Sequence, residues 1–90
     1  MLKGRNAIIT GSTSGIGLAV AHTLAAQGCH VMLNGFGDPK AMEQLAHEMG
    51  VSYGVRVLYS AADVSKSDAI HRMVESTVDQ LGSVDILVNN

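Results

Sequence analysis

The sequence of 90 residues predicts an α/β fold, half of a doubly wound parallel sheet with helices on both faces. Four short apolar runs alternate with three longer stretches whose apolar residues recur every three or four positions. A glycine-rich loop connects the first apolar run to the first helical stretch. Because each helix must cross over the sheet to reach the next strand, this alternation is typical of parallel sheets.

The apolar runs are short and continuous, as expected of strands that are buried on both faces. The first contains Ala7, Ile8 and Ile9, and the last contains Ile86 and Leu87. The four predicted strands cover residues 5–10, 30–34, 56–60 and 84–89.

Each predicted helix ends at a glycine, which readily adopts the left-handed conformation that follows a helix. The three helices cover residues 15–27, 39–50 and 65–81. In the second helix, Asp38 is the predicted N-cap and Pro39 occupies the first helical position. In the third, the spacing of Ser65 and Asp68 predicts a capping box. The faces expected to pack on the sheet are Ile16, Ala19, Val20, Thr23 and Leu24 in the first helix, and Met42, Leu45, Ala46 and Met49 in the second.

Right-handed crossovers restrict the order of these strands. Strands 1, 2 and 3 step in one direction, and the third helix returns over the other face to place strand 4 beside strand 1. The predicted order is therefore 3-2-1-4. The direction reverses between strands 1 and 4, and ligands bind such sheets in the crevice at the carboxyl ends of the strands near that point.

The glycine-rich loop at residues 10–17 lies at this crevice and has the pattern of an anion site. Backbone N–H groups in the first turn of a helix have no partner within the helix, and the helix dipole adds partial positive charge. We expect Gly11 to allow the sharp turn, Gly15 to let a pyrophosphate approach the backbone, and Gly17 to bring the helix close to the sheet. No lysine follows, which disfavours a P-loop, and Thr13 stands where a nucleophile elbow needs serine.

Composition excludes several other classes of function. The net charge is −2 and the six basic residues are scattered, which argues against nucleic acid as a partner. The four histidines lack metal-ligand spacing, so no metal is predicted. Cys29 is the only cysteine, which favours a reducing compartment. The first apolar run is too short for a signal peptide or a membrane span, so we predict a cytoplasmic location and no membrane partner.

Three motifs together resemble the short-chain dehydrogenase/reductase family. They are Thr-Gly-Ser-Thr-Ser-Gly-Ile-Gly at 10–17, Asp63-Val64 after the third strand, and Asp-Ile-Leu-Val-Asn-Asn at 85–90. More narrowly, Met1-Leu2-Lys3-Gly4 and Leu-Asn-Gly-Phe-Gly-Asp at 33–38 resemble the bacterial D-3-hydroxybutyrate dehydrogenases within that family. The resemblance implies a Rossmann-type fold and hydride transfer between a nicotinamide cofactor and a small hydroxy acid or oxo acid.

The resemblance also implies roles for individual residues. Ser12, Thr13 and Ile16 would line the pyrophosphate, with Gly11, Gly15 and Gly17 shaping the turn. Phe36 would border the adenosine pocket, Asp63 would accept a hydrogen bond from the adenine amino group beside Val64, and Asn90 would contact the adjoining ribose. An ionised carboxylate accepts hydrogen bonds only, which suits an exocyclic amino group. A turn residue ahead of the third helix is the alternative role for Asp63.

The second strand ends in Asn34-Gly35-Phe36, which has neither the acid that usually selects NAD nor the arginine that selects NADP. Members of the family that prefer NADP often carry an arginine in the glycine loop, where this chain has Ser14. With no cation to pair with a 2′-phosphate, we predict NAD in preference to NADP.

The catalytic signature of the family, YxxxK with a preceding serine, is absent from residues 1–90: Tyr53 is followed four positions later by Val57, and Tyr59 by Asp63. We therefore predict that this chain is the N-terminal dinucleotide-binding half of a single domain, in an enzyme that forms a homo-oligomer when full-length. Two alternatives remain open, a truncated inactive product that at most binds a dinucleotide, and an NADPH-dependent 3-oxoacyl reductase. Strand 4 would also keep an uncovered edge, which predicts marginal stability or aggregation of the isolated chain.

Overall fold

A computed structural model describes residues 2–90, so that Met1, which begins one of the segments behind the resemblance, lies outside the described residues. The strands are β1 (Asn6–Ile9), β2 (His30–Asn34), β3 (Val57–Ser60) and β4 (Ile86–Val88). The helices are α1 (Gly15–Ala26), α2 (Pro39–Tyr53) and α3 (Ser67–Leu81). All strand pairs are parallel, and the order β3-β2-β1-β4 confirms the predicted topology.

Side chains of the central strands alternate between two apolar clusters. Ala7 and Ile9 of β1 belong to a cluster with α1 and α2, whereas Ile8 packs with Met32 of β2 and Met73 of α3. Ala7, Ile8 and Ile9 are fully buried, and burying an isoleucine side chain contributes about 1.5–3 kcal/mol. The continuous apolar run of β1 thus has a physical reason, because helices cover both of its faces.

The register of the sheet determines what surrounds the loop after β1. Ile9, the last residue of β1, pairs with Leu33 of β2 on one side and with Val88 of β4 on the other. The chain that leaves β1 is therefore flanked by Asn34 and by the segment 89–90.

The predicted packing face of α1 is correct only for Val20 and Leu24, which pack against the core as partly buried residues at the margin of the helix's buried stripe. Its buried residues are Gly17, Ala21 and Ala25, whereas Ile16 is 78% exposed. The physical reason is close approach, because a Cβ atom at Gly17 would lie 2.1 Å from the carbonyl oxygen of Gly11. Small residues spaced four apart let the helix axis approach the sheet, and a stripe of larger apolar residues would hold it away.

Two predicted helix boundaries also need correction. The second helix continues through residue 50 to Tyr53 and ends at Gly54, whose φ of +68° is left-handed. The third helix has Lys66 as its N-cap, without a side-chain hydrogen bond, instead of the predicted Ser65. Ser65 is unavailable because its hydroxyl donates to Asp63 Oδ1 at 2.7 Å. By contrast, Asp38 caps α2 as predicted and accepts a hydrogen bond from the N–H of Ala41.

Asn6 joins two segments at the amino edge of the sheet. Its Nδ2 donates to Leu81 O at 3.1 Å and to Ser83 Oγ at 3.0 Å, and its backbone N–H donates to Asp85 Oδ2 at 2.9 Å. Asn6 is only 4% exposed. These bonds fasten the connection between α3 and β4 to the start of β1.

An apolar strip remains exposed along β4, α3 and the turn that precedes α3. It consists of Val64, Ile70, Val78 and Leu87, and Leu87 is 61% exposed. Within residues 2–90, β4 pairs only with β1. None of the helices in this part of the chain is long and apolar enough to cross a bilayer.

We expect the strip and the free side of β4 to cause self-association, and Leu87→Lys to weaken it. A charged side chain on an edge strand opposes pairing with a second strand. The expected effect is about a tenfold higher dissociation constant, equivalent to about 1.4 kcal/mol. Sedimentation velocity over a concentration series measures it. Val51→Lys is the matched control, because Val51 is 71% exposed on α2; an equal effect of both substitutions would contradict the prediction.

Candidate functional site

The loop between β1 and α1 lies at the carboxyl edge of the sheet, where the residues after β4 cover one side of it. Thr10 Oγ1 accepts a hydrogen bond from the N–H of Asn90 at 3.0 Å and contacts Asn89 Oδ1 at 3.3 Å. Asn90 Nδ2 donates to Gly11 O at 3.1 Å. Thr10 and Asn90 thus hold the loop against the carboxyl end of β4.

The amino terminus of α1 leaves backbone donors available. Its N-cap, Ser14, is extended and makes no side-chain capping bond, and the first turn carries no acidic residue. Among residues 2–90, no acceptor receives the N–H groups of Gly15, Ile16 or Gly17. Unpartnered N–H groups and the positive end of the helix dipole favour an anion at this position.

Two glycines of the loop are required for different reasons. A Cβ atom at Gly17 would clash with the loop itself, as described for the packing of α1. Gly15 has a left-handed φ of +59°, and a Cβ atom there would meet no protein atom within 4 Å. The space at the Cβ position of Gly15 is therefore open, and Gly15 is itself one of the residues with an unpartnered amide.

Ser12 faces the interior of the protein. Its side chain is fully buried, and its Oγ donates to Ile9 O at 2.7 Å and accepts from the N–H of Asn34 at 2.9 Å. The backbone N–H of Ser12 donates to Asn34 O at 2.6 Å. Ser12 therefore ties the loop to the end of β2, whereas the neighbouring Thr13 hydroxyl reaches Phe36 O at 3.4 Å.

Large apolar side chains are exposed around the same edge. Ile16 is 78% exposed and Phe36 is 73% exposed, and Val64 after β3 is 42% exposed. Exposed apolar side chains grouped around a polar loop are typical of a ligand-binding surface. This edge thus combines unpartnered backbone amides with exposed apolar side chains.

Asp63 combines a turn with an ionised carboxylate. Its Oδ1 accepts from the hydroxyl of Ser65 at 2.7 Å and from the N–H of Ser65 at 3.0 Å. These two hydrogen bonds, helped by the charge of Lys66, hold the pKa of the Asp63 carboxyl below its usual range. The turn uses Oδ1, and Oδ2 receives no donor from residues 2–90. The role of turn residue is thus compatible with that of a hydrogen-bond acceptor.

Sequence reasoning missed the part that Asn34 plays. Its Oδ1 accepts from the N–H of Gly11 at 3.3 Å, and its Nδ2 donates to Ser60 O at 3.2 Å and to Ala62 O at 3.0 Å. The available signal was a polar residue that ends an apolar strand. Only the fold brings the three backbone partners around it.

The two tyrosines and the cysteine are partly or fully buried, and each contacts other parts of the fold. The Tyr53 hydroxyl lies 2.7 Å from His22 Nδ1, between α2 and α1. The Tyr59 hydroxyl donates to Gly35 O, and burial raises its pKa. Cys29 is fully buried, and burial first and then the charge of Asp85 raise the pKa of its thiol. The raised pKa values favour the protonated forms of Tyr59 and Cys29, so neither group is an activated nucleophile or base.

A family model described as short chain dehydrogenase matches residues 5–90. The chain belongs to the short-chain dehydrogenase family. This confirms the family predicted from the loop, the Asp63-Val64 pair and the segment 85–90. The fold of this family implies a nicotinamide dinucleotide as cofactor.

Known members of the family are similar over nearly the whole chain. A D-beta-hydroxybutyrate dehydrogenase of Cupriavidus necator is 48% identical over 90 residues, which are 100% of this chain and 34% of that protein. One from Rhizobium meliloti is 48% identical over 87 residues, 96% of this chain and 33% of that protein. The crystal structure of L-sorbose reductase from Gluconobacter frateurii, complexed with NADPH and L-sorbose, is similar with a TM-score of 0.90 and 40% identity, covering 99% of this chain and 34% of that one. The chain therefore spans about a third of the length of these relatives.

We predict that Ser65→Ala raises the pKa of Asp63 toward its usual range, because the hydroxyl bond that lowers it most is lost. A carboxyl whose pKa is lower in the folded state stabilises the fold above its unfolded pKa, and this contribution disappears as the pH falls through the folded pKa. The difference in stability from the unsubstituted chain should therefore be present at neutral pH and vanish in strong acid. An NMR titration of the Asp63 carboxyl carbon measures the pKa directly. Ser76→Ala on α3 is the control, and an unchanged Asp63 pKa in Ser65→Ala would contradict the assignment.

Proposed function

We propose that this chain is the dinucleotide-binding half, residues 1–90, of an NAD-dependent dehydrogenase that acts on a small 3-hydroxy acid. The observation that carries the proposal is the group of unpartnered amides at the start of α1, together with the open space at the Cβ position of Gly15. Such a site suits a diphosphate, because the negative charge meets backbone donors without meeting a side chain.

The residues around the loop fit the remaining parts of a dinucleotide. We assign the diphosphate to the loop segment that contains Ser12, Thr13 and Ile16. The buried Ser12 contributes by holding this loop against β2. Phe36 borders the adenosine, and Asn90 contacts its ribose. Asp63 and Val64 receive the adenine, for which the ionised acceptor and the exposed apolar side chain are suited. The bound cofactor supplies the hydride acceptor or donor, and the residues of this chain bind and orient it.

The preference for NAD follows from the absence of a suitable cation. Asn34 at the end of β2 is buried, and neither the loop 10–15 nor the segment 34–38 contains lysine or arginine. A 2′-phosphate placed there would lose water without gaining an ion pair. The second candidate is an NADPH-dependent reductase of the same family, and the observation that favours it is the NADPH in the L-sorbose reductase complex.

The proposal for the whole enzyme uses the activities of two relatives of this chain. The two 48% identical relatives are hydroxybutyrate dehydrogenases, which supports a small 3-hydroxy acid or its oxo acid as substrate. We propose that the full-length enzyme is a cytoplasmic homo-oligomer. We further propose that residues 1–90 alone bind cofactor without turnover, because neither tyrosine is part of a YxxxK pair.

Titration of the chain with NADH and NADPH tests the proposed cofactor. Fluorescence of the reduced nicotinamide is expected to saturate with NADH, and the dissociation constant for NADPH is expected to be about tenfold higher, equivalent to about 1.4 kcal/mol. Tighter binding of NADPH would favour the second candidate. Absence of a saturable signal with either cofactor would overturn the proposal for this chain.

We also expect Gly15→Ala to weaken NADH binding by about tenfold or more, since the new methyl group enters the space assigned to the diphosphate. The substitution also places alanine in a left-handed conformation, which costs roughly 1–2 kcal/mol of stability. Gly54→Ala is the matched control, because Gly54 has a φ of +68° and an equally open Cβ position at the end of α2, remote from the loop.

Calorimetry for NADH affinity and thermal unfolding for stability separate the two effects. Both variants should lose a similar amount of stability, and only Gly15→Ala should lose affinity. Equal NADH affinities of the two variants would contradict the assignment of the diphosphate to this loop.

A further inference from the structure

Asn34 is a buried side chain whose hydrogen bonds all go to the backbone of other segments. It is 2% exposed. Its carboxamide oxygen receives the N–H of Gly11 from the glycine loop, and its amide nitrogen donates to the carbonyl groups of Ser60 and Ala62 at the end of β3. One side chain thus connects the carboxyl ends of three neighbouring strands.

The backbone of the same residue completes the connection. Asn34 O accepts from the N–H of Ser12, and Asn34 N–H donates to the Ser12 hydroxyl. The loop is therefore attached to β2 at two consecutive residues, Gly11 and Ser12. On the outer side of the loop, the donors at 15–17 have no acceptor among residues 2–90.

We propose that Asn34 is a positioning residue for the cofactor, which holds the glycine loop in its binding geometry without touching the cofactor. The inference rests on the proposed function. An acidic residue after the second strand of a dinucleotide-binding fold reads the ribose hydroxyls, but both ends of the Asn34 carboxamide are already occupied by the protein. The Asn34 carboxamide thus hydrogen-bonds to backbone carbonyl groups of the protein and does not bind the ribose.

Replacement by aspartate distinguishes a residue that positions the loop from one that binds the ribose hydroxyls. Asn34→Asp keeps the size of the side chain and supplies the acid typical of NAD-binding folds. If this position reads the ribose, the aspartate variant should bind NAD more selectively. If Asn34 positions the loop, a carboxylate oxygen replaces the amide donor and faces the carbonyl oxygens of Ser60 and Ala62, so the loop should lose its attachment.

The test uses the full 90-residue chain with two substitutions, Asn34→Asp and the milder Asn34→Ser, which keeps one hydroxyl donor. The matched control is Asn6→Asp, because Asn6 is also a buried asparagine that donates to a backbone carbonyl and a neighbouring oxygen, at the opposite edge of the sheet. Calorimetry measures affinities for NADH and NADPH. Amide hydrogen exchange measures protection of the Gly11 N–H, and thermal unfolding measures stability.

We expect Asn34→Asp to weaken binding of both dinucleotides by about tenfold or more while leaving their ratio unchanged, and to expose the Gly11 amide to exchange. Asn34→Ser should show the same changes to a smaller degree, and it replaces the aspartate variant if that variant does not fold. Asn6→Asp should lose stability and keep affinity.

Two results would overturn the inference. One is a stronger preference for NADH over NADPH in Asn34→Asp, and the other is unchanged hydrogen exchange of the Gly11 amide in Asn34→Ser. If the unsubstituted chain binds neither dinucleotide, the proposed function fails, and Gly11 exchange still decides whether Asn34 holds the loop.

Discussion

The attachment of the glycine loop to the end of β2 is the contact on which the candidate site depends. Ser12 and Asn34 bond to each other through backbone and side chain, with the Ser12 N–H to Asn34 O distance at 2.6 Å. Both residues are buried, so water does not compete for these bonds and a broken one would leave an unsatisfied polar group. The inner side of the loop is bonded to β2, whereas the outer amides at 15–17 have no acceptor among residues 2–90.

This division between an inner and an outer side explains the character of the carboxyl edge. Inside, the Ser12 hydroxyl and the Asn34 carboxamide each donate and accept hydrogen bonds within the protein. Outside lie the first-turn amides of α1 and the apolar side chains of Ile16 and Phe36. A dinucleotide has a charged diphosphate between flat rings, and these are the groups that the proposed function assigns to the outer side.

The close packing of α1 serves the same edge. Gly17, Ala21 and Ala25 form its buried stripe and bring the helix so near that a methyl group at Gly17 would overlap the loop carbonyl of Gly11. The amino terminus of α1, with its positive dipole end, therefore lies directly beside the end of β1. At the opposite edge Asn6 closes the sheet with bonds to the segment before β4, so one edge contributes stability and the other remains accessible to ligand.

Local signals in the sequence were sufficient for the strand order, the position of the glycine loop, the Asp38 cap of α2 and the family. Apolar runs, helical periods and glycine spacing can be recognised in short segments of sequence. The handedness of crossovers is a general rule that then restricts the strand order. The tertiary structure alone decided that α1 packs through small residues, that Ser65 bonds to Asp63 in place of capping α3, and that Ser12 and Asn34 face inward. Each of these outcomes depends on competition between partners. Ser12 and Asn34, which bond to each other, are 22 residues apart and meet only when the parallel sheet has formed.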